Sequence, residues 1–462
     1  KGWVNENGAV HFVDSNGSYA KNEWKTSQGV SYYLDGEGNL AKNTWIDGTY
    51  YAGEDGSMTK ESWIYVDENE GSMKSGWYYL GRNGKVEKND WKTIEKAKYC
   101  FDSDGRMRTG WHYENGDIYY LGNGSEGYTR SGWYFLESNG KKRPAEGSIS
   151  KDLVPDSENG KWYYFQSNGK ARKGENGVPK EAAIDGRKYY FDENGVMLTG
   201  WQCVKEKAEP GDGTGISRFV YLGGKEDGML KGQWLETSER PWDTKAWSTA
   251  LNVQAVRKTN AEETALMKKD GSRWFYLENN GSPLFLSADA TGVKDGAVKI
   301  DGKYYFFDSY GVCQSGLIKF TSGGKMETAY FDPEAGGAMS IGRNTNAVDK
   351  KDKVYTFCSG TSGSEKGCGV TGEKDGFLYN NGLLVSAKEG SSYGPFKVAG
   401  QIYLVNENGK VQTEEKKYSS NGKAAYIIEN GKVFTLDKDG EKKSEATGLS
   451  LPYAGWKIQY QR

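Results

Sequence analysis

A tryptophan recurs through the first third of the chain at Trp3, Trp24, Trp45, Trp63, Trp77, Trp91, Trp111 and Trp133, in steps of 21, 21, 18, 14, 14, 20 and 22 residues. An indole is a large apolar surface, so a repeated one must be repeatedly packed or repeatedly used. Between the tryptophans a second phrase returns: a pair of aromatics followed by a tight turn. It reads "YYLDGEG" from Tyr32, "YYAGEDG" from Tyr50, "YYLGRNG" from Tyr78 and "YYFDENG" from Tyr189. "YYFFDSYG" from Tyr304 and "VFTLDKDG" from Val433 continue it.

Each phrase predicts a β-hairpin, with the Asn-Gly or Asp-Gly segment as a three-residue loop closed by a left-handed glycine. Adjacent aromatics such as Tyr189 and Tyr190 point to opposite faces of a strand, so both faces need cover. One hairpin is marginal in water, whereas hairpins stacked on one another bury both faces. The fold expected is therefore all-β: a β-solenoid of stacked β-hairpin repeats. Composition agrees, since aromatics reach 14% while all hydrophobics total only 36%, with 64 glycines for turns. Aliphatic cores of the usual globular kind need more.

The array varies along the chain. Residues 1–142 carry the regular phrase, and 143–234 continue it more loosely, through "KKRPAEGSISKDLVPDSENG". Residues 235–270 lose the cadence and form an irregular or partly helical insertion, with "NAEETALMKK" predicting a short helix capped by Asn260. Hairpin repeats return over 271–342. Residues 343–462 are either degenerate hairpin repeats or a second β-rich domain.

Charge is balanced, 61 basic against 63 acidic residues, which offers nothing to nucleic acid. No apolar run is long enough to insert in a membrane. Lys1-Gly2-Trp3 already sits inside a repeat, which implies upstream sequence with an export signal. Cys358 and Cys368 flank "SGTSGSEKG", and a disulfide there stays open; Cys100, Cys203 and Cys313 read as small buried hydrophobes. "FDSDG" and "LDKDG" resemble calcium ligands but lack the closing Glu of a calcium loop, so they read as turns. His11 and His112 are too few for a metal cluster, and His112 reads as a surface or partly packed residue. Glycine-rich "GISRFVYLGGKEDG" lacks phosphate-cradling spacing. No catalytic residue, metal ligand or cofactor is nominated.

Three stretches carry a family resemblance: "YYFDENGVMLTGW" (Tyr189–Trp201), "YCFDSDGRMRTGW" (Tyr99–Trp111) and "YYLGRNGKVEKNDW" (Tyr78–Trp91). They resemble the cell wall-binding repeat, also called the choline-binding repeat, and are similar to the glucan-binding repeats of glucansucrases and the repetitive domains of clostridial toxins. The likeness fades after Gly342. It implies sites between consecutive hairpins, where aromatic rings box a quaternary ammonium at about 0.5–2 kcal/mol per ring face. Carried over, the Gly-Trp positions are Trp3, Trp77, Trp111, Trp133 and Trp201, and the strand tryptophans are Trp162 and Trp274. Tyr79, Tyr120, Tyr164 and Tyr190 complete the candidate ligand-binding set. The chain departs from the pattern at Ser31, Thr49, Lys98, Ile118 and Lys188, where the family has tryptophan, and "NEW", "NTW", "ESW" and "NDW" replace Gly-Trp.

For any single tryptophan the plain reading is packing between hairpins, which is compatible with showing a face to a ligand. The resemblance implies a non-catalytic module, secreted to the wall or surface of a Gram-positive bacterium. Its partner would be cell-wall teichoic acid of the choline type or another wall polysaccharide. A carbohydrate-binding array for host glycans or α-glucans, or a stalk with no ligand, are the alternatives.

Overall fold

The structure is a computed structural model that describes residues 1–137, 160–243, 271–456 and 458–461. The segment predicted as a short helix lies outside the described residues, as does the loosened stretch from 141 to 159. Two compact units divide the chain: Lys1–Ala183 with Tyr189–Met197, and Ile184–Lys188 with Leu198–Arg462. Among the described residues no helix is long and apolar enough to cross a membrane.

Up to Phe306 the described chain is a succession of eleven two-stranded antiparallel sheets, each one hairpin. In the first unit the first strand brings a tryptophan directly opposite the second aromatic of the following strand: Trp3 faces Phe12, Trp24 faces Tyr33, Trp45 faces Tyr51 and Trp111 faces Tyr120. The second unit repeats this with Trp201 opposite Tyr221 and Trp234 opposite Tyr276. Directly opposed aromatics are among the stronger cross-strand pairs.

The turn joining these strands is not the one after the aromatic pair, which corrects the sequence expectation. Asn7 and Gly8 (φ 51° and 88°) close the first hairpin, and Asn115 and Gly116 (50° and 77°) the sixth. Positive φ at both central residues is what a two-residue I′ turn requires. The Asp-Gly or Asn-Gly turn after the aromatic pair is a second turn in these repeats. There Asp35 Oδ1 accepts the N–H groups of Glu37 (2.9 Å) and Asn39 (2.8 Å), folding the chain back for the single bridge between Leu34 and Leu40. Asp102, Asp192 and Asp437 use their carboxylates in the same way. Backbone donors therefore explain these acids.

In the first unit, repeats that open on a tryptophan are tied to their neighbours twice. The residue after the second turn donates its N–H to the preceding hairpin: Leu40 to the Val10 carbonyl (2.8 Å), Met58 to Ser31 (2.8 Å) and Val86 to Thr49 (2.8 Å). The leading indole meets the next hairpin edge-on, with ring centres of Trp3 and Tyr32 5.2 Å apart, Trp24 and Tyr50 5.3 Å, and Trp111 and Tyr163 4.7 Å. Such pairs contribute about 0.5–1.5 kcal/mol beyond their area burial.

From Gly316 onward the sheets widen. Gly316–Ser322 and Lys325–Asp332 join Ala338–Met339 and Ile458–Gln461 in a four-stranded sheet, the last strand running parallel to the first. Five-, three- and four-stranded sheets follow between Arg343 and Glu445. Aliphatic and aromatic side chains such as Leu317, Tyr330, Phe357, Leu383 and Trp456 form a core there. Cys358 and Cys368 are both buried and carry free thiols, and burial pushes Cys368 up to about 11.

Two outcomes follow from these turns. Glu95 and Lys96 close the fifth hairpin with φ of 47° and 73° and no glycine. K96G relieves that strain, and thermal melting should show a gain of roughly 0.5–1 kcal/mol. Asp308, only 3% exposed, accepts the N–H groups of Tyr310 and Val312 (2.9 Å each) and an amide hydrogen of Gln314 (3.1 Å). Burial raises it to about 7 despite those bonds. Between about pH 4, where a free Asp ionises, and that value, the folded chain keeps a proton that the unfolded chain has lost. Its contribution to stability is thus fullest below that window, falls as pH rises through it and is level above. Denaturant titrations of D308N should lack this slope.

Candidate functional site

Residues two apart on a strand share a face, so Trp63 and Tyr65 line up with Trp77 and Tyr79 in the fourth hairpin, Ser62–Val66 with Gly76–Leu80. The Trp63 and Trp77 rings stand nearly perpendicular, 87° with centres 6.4 Å apart. Tyr79 lies 5.0 Å from Trp63, Tyr65 4.9 Å from Trp77, and Tyr99 of the next hairpin 4.9 Å from Trp63. The seventh hairpin, Gly132–Glu137 with Gly160–Phe165, repeats this corner: Trp133 and Trp162 meet at 87° and 6.3 Å. Phe135 sits 5.1 Å from Trp162, and Tyr189 4.8 Å from Trp133.

In the second unit the tenth hairpin, Gln233–Thr237 with Arg273–Leu277, brings Trp234 and Trp274 to 80° and 6.2 Å. Tyr305 stands 4.8 Å from Trp234, and Glu236 pairs with Trp274 where the other two corners have Tyr65 and Phe135. All six indoles are partly exposed. Two indole faces at right angles suit a cation, which each ring's quadrupole attracts within about 6 Å, or the apolar face of a sugar ring. Among the described residues no group of three His, Cys, Asp or Glu side chains could hold a metal.

One backbone frame holds all three corners. The carbonyls of Trp77, Trp162 and Trp274 accept the N–H groups of Met107, Met197 and Cys313, each at 2.8 Å. Trp77 therefore occupies the second-strand position of Trp162 and Trp274, not the leading Gly-Trp position read from its sequence. A long connection between Val66 and Gly76 shifts that phase.

The other sequence candidates divide by burial. Trp3 is partly exposed against Phe12 and Tyr32, with Val10 where a corner has its second indole. Tyr79 and Tyr164 face Trp63 and Trp133 within the corners. Trp111 and Trp201 are only 2% and 3% exposed, and Tyr120 and Tyr190 are buried too. Tyr163 and Phe165 cover Trp111, Tyr221 and Phe275 cover Trp201, and the Tyr190 hydroxyl donates to Glu181 (2.7 Å). These four rings are buried against their neighbours, unlike the partly exposed indoles of the corners. Trp63 and Trp234 were missed because "ESW" and "GQW" lack the Gly-Trp signature. The signal that finds all three corners is Trp, aromatic, Tyr on the second strand: "WYY" at Trp77 and Trp162, and "WFY" at Trp274.

His112 is buried rather than at the surface, 1% exposed, and burial pushes it down to about 4, so it is neutral near pH 7. Cys100, 3.8 Å away, is pushed up to about 12 by burial, which makes it a packed thiol rather than a nucleophile.

Residues 18–57 and 88–133 match models of the choline-binding repeat, and residues 1–19, 157–171, 183–197 and 268–282 match the putative cell wall binding repeat. Glucosyltransferase-S of Streptococcus mutans is 25% identical over 256 residues, 54% of this chain and 14% of that protein. Glucosyltransferase-I of Streptococcus downei is 26% identical over 147 residues, 29% of this chain and 8% of that protein. The chain thus spans a small part of the length of these curated relatives. Among solved structures, the modular autolysin LytC of Streptococcus pneumoniae is similar at 17% identity, covering 69% of this chain and 55% of that one, with a TM-score of 0.37. Choline binding protein F of the same species is similar at 20% identity, covering 80% and 98%, with a TM-score of 0.35. Over these six segments the chain is therefore similar to the choline-binding repeat and the putative cell wall binding repeat.

Proposed function

We propose that the chain is a non-catalytic binding module of a Gram-positive bacterial surface, held to cell-wall polymers by the indole corners of its fourth, seventh and tenth hairpins. The observation that carries this is the recurrence of one arrangement: a perpendicular tryptophan pair with a tyrosine from the next hairpin. The hairpins stack as a β-solenoid in this reading, and the ligand is choline on teichoic acid or a wall glycan. Several weak corners on one chain give avidity that no single corner supplies.

A second reading, binding of α-glucans, is favoured by the glucosyltransferase relatives. Choline, its neutral isostere with carbon in place of nitrogen, and short α-glucans separate the two. Cation binding predicts that choline shifts indole fluorescence and the isostere does not; a response to glucans alone would sink it.

Substitution tells the corners from the core. W77A, W162A or W274A should each remove one choline site, a loss of about 0.5–2 kcal/mol or roughly 2–30-fold at that site. The triple variant should no longer be retained on a choline matrix. W111A should instead lower the melting temperature, at a cost of about 3–5 kcal/mol, with the corners intact. Unchanged retention of the triple variant would remove the corners from the account.

A further inference from the structure

The fifth hairpin, Trp91–Ile94 with Ala97–Cys100, repeats the corner frame with one change. Its leading Trp91 pairs with Cys100, and Lys98 pairs with Thr93. Lys98 therefore stands two residues ahead of the partner of the leading indole, as Trp77, Trp162 and Trp274 do in their own hairpins. Its carbonyl accepts the same kind of bond from the following repeat, the Thr129 N–H at 2.9 Å. The backbone is that of a corner, but the second indole wall is missing.

A charge takes its place. The Lys98 ammonium lies 4.5 Å from the centre of the Trp91 ring, well inside the range of about 6 Å over which a ring face attracts a cation. Trp91 is itself held, its indole N–H donating to Glu114 Oε2 at 2.5 Å and its ring resting 4.9 Å from Tyr119. The neighbouring His112 ring, 5.4 Å away, is neutral near pH 7 and does not compete with the ammonium.

We propose that Lys98 is a built-in ammonium that occupies the fifth junction and closes it to external ligands. The proposal rests on the reading of the indole corners as ligand sites. A tethered cation acts at an effective concentration that a free, weakly bound cation has to exceed to displace it. Lys98 thereby decides which junctions of the array take ligand: the frame recurs, and the side chain at this one position makes it a wall, leaves it bare or fills it.

Fluorine NMR of the full chain labelled with fluorotryptophan, titrated with choline, tests this. In the wild type the Trp63, Trp133 and Trp234 signals should move and the Trp91 signal should stay. K98W, which replaces the tethered cation with the missing wall, should make the Trp91 signal move and raise the calorimetric stoichiometry by one site, whereas K98R, which keeps the cation, should leave Trp91 silent. A wild-type Trp91 signal that moves with the others, or a Trp91 signal in K98W that does not move, overturns the proposal. Stationary Trp63, Trp133 and Trp234 signals in the wild type overturn the corner reading instead, in a separate set of resonances.

Discussion

The contact between a leading indole and the next hairpin is what makes these repeats a structure. A two-stranded sheet has two faces and no interior, so it is not stable alone. Trp24 lies against Tyr33 of its own hairpin and Tyr50 of the one that follows, and Trp45 against Tyr51 and Tyr78. Each ring therefore counts in two repeats at once. Stability accumulates from neighbour to neighbour, and a chain with few aliphatic residues can still bury an apolar core.

The second turn of each repeat sets how neighbours meet. An Asp or Asn side chain there accepts backbone N–H groups, the chain reverses, and the next residue reaches back to a carbonyl of the preceding hairpin. That bond always falls on the residue two before the partner of the leading indole in the fourth, fifth, seventh and tenth hairpins. One position is thus held at the junction by the backbone while its side chain is left free to vary. Tryptophan there makes a corner, lysine fills it, and isoleucine at Ile118 packs into the core beside Trp111. Binding capacity is varied without disturbing the frame.

Much of this was legible in the residues. The spacing of tryptophans and the aromatic pair with its turn announced an all-β chain of hairpins, and the acids of "FDSDG" and "LDKDG" read correctly as turn formers. The phase was harder. Gln28-Gly29 and Glu95-Lys96 close hairpins without an Asn-Gly signal, so the stronger turn downstream looked like the only one. Trp77 looked like a leading tryptophan because Gly76 precedes it, and only strand pairing places it in the second strand.

Sequence alone determined the period, the local hairpin and the supply of rings, because strand alternation and turn geometry act over a few neighbouring residues. Tertiary structure decided which rings are covered. Trp111 and Trp133 follow the same Gly-Trp phrase, yet one is buried and the other partly exposed. The atoms that cover an indole come from the following hairpin and from the opposite strand. Their placement depends on register and on a hydrogen bond between repeats, neither of which is written in the phrase around the tryptophan itself.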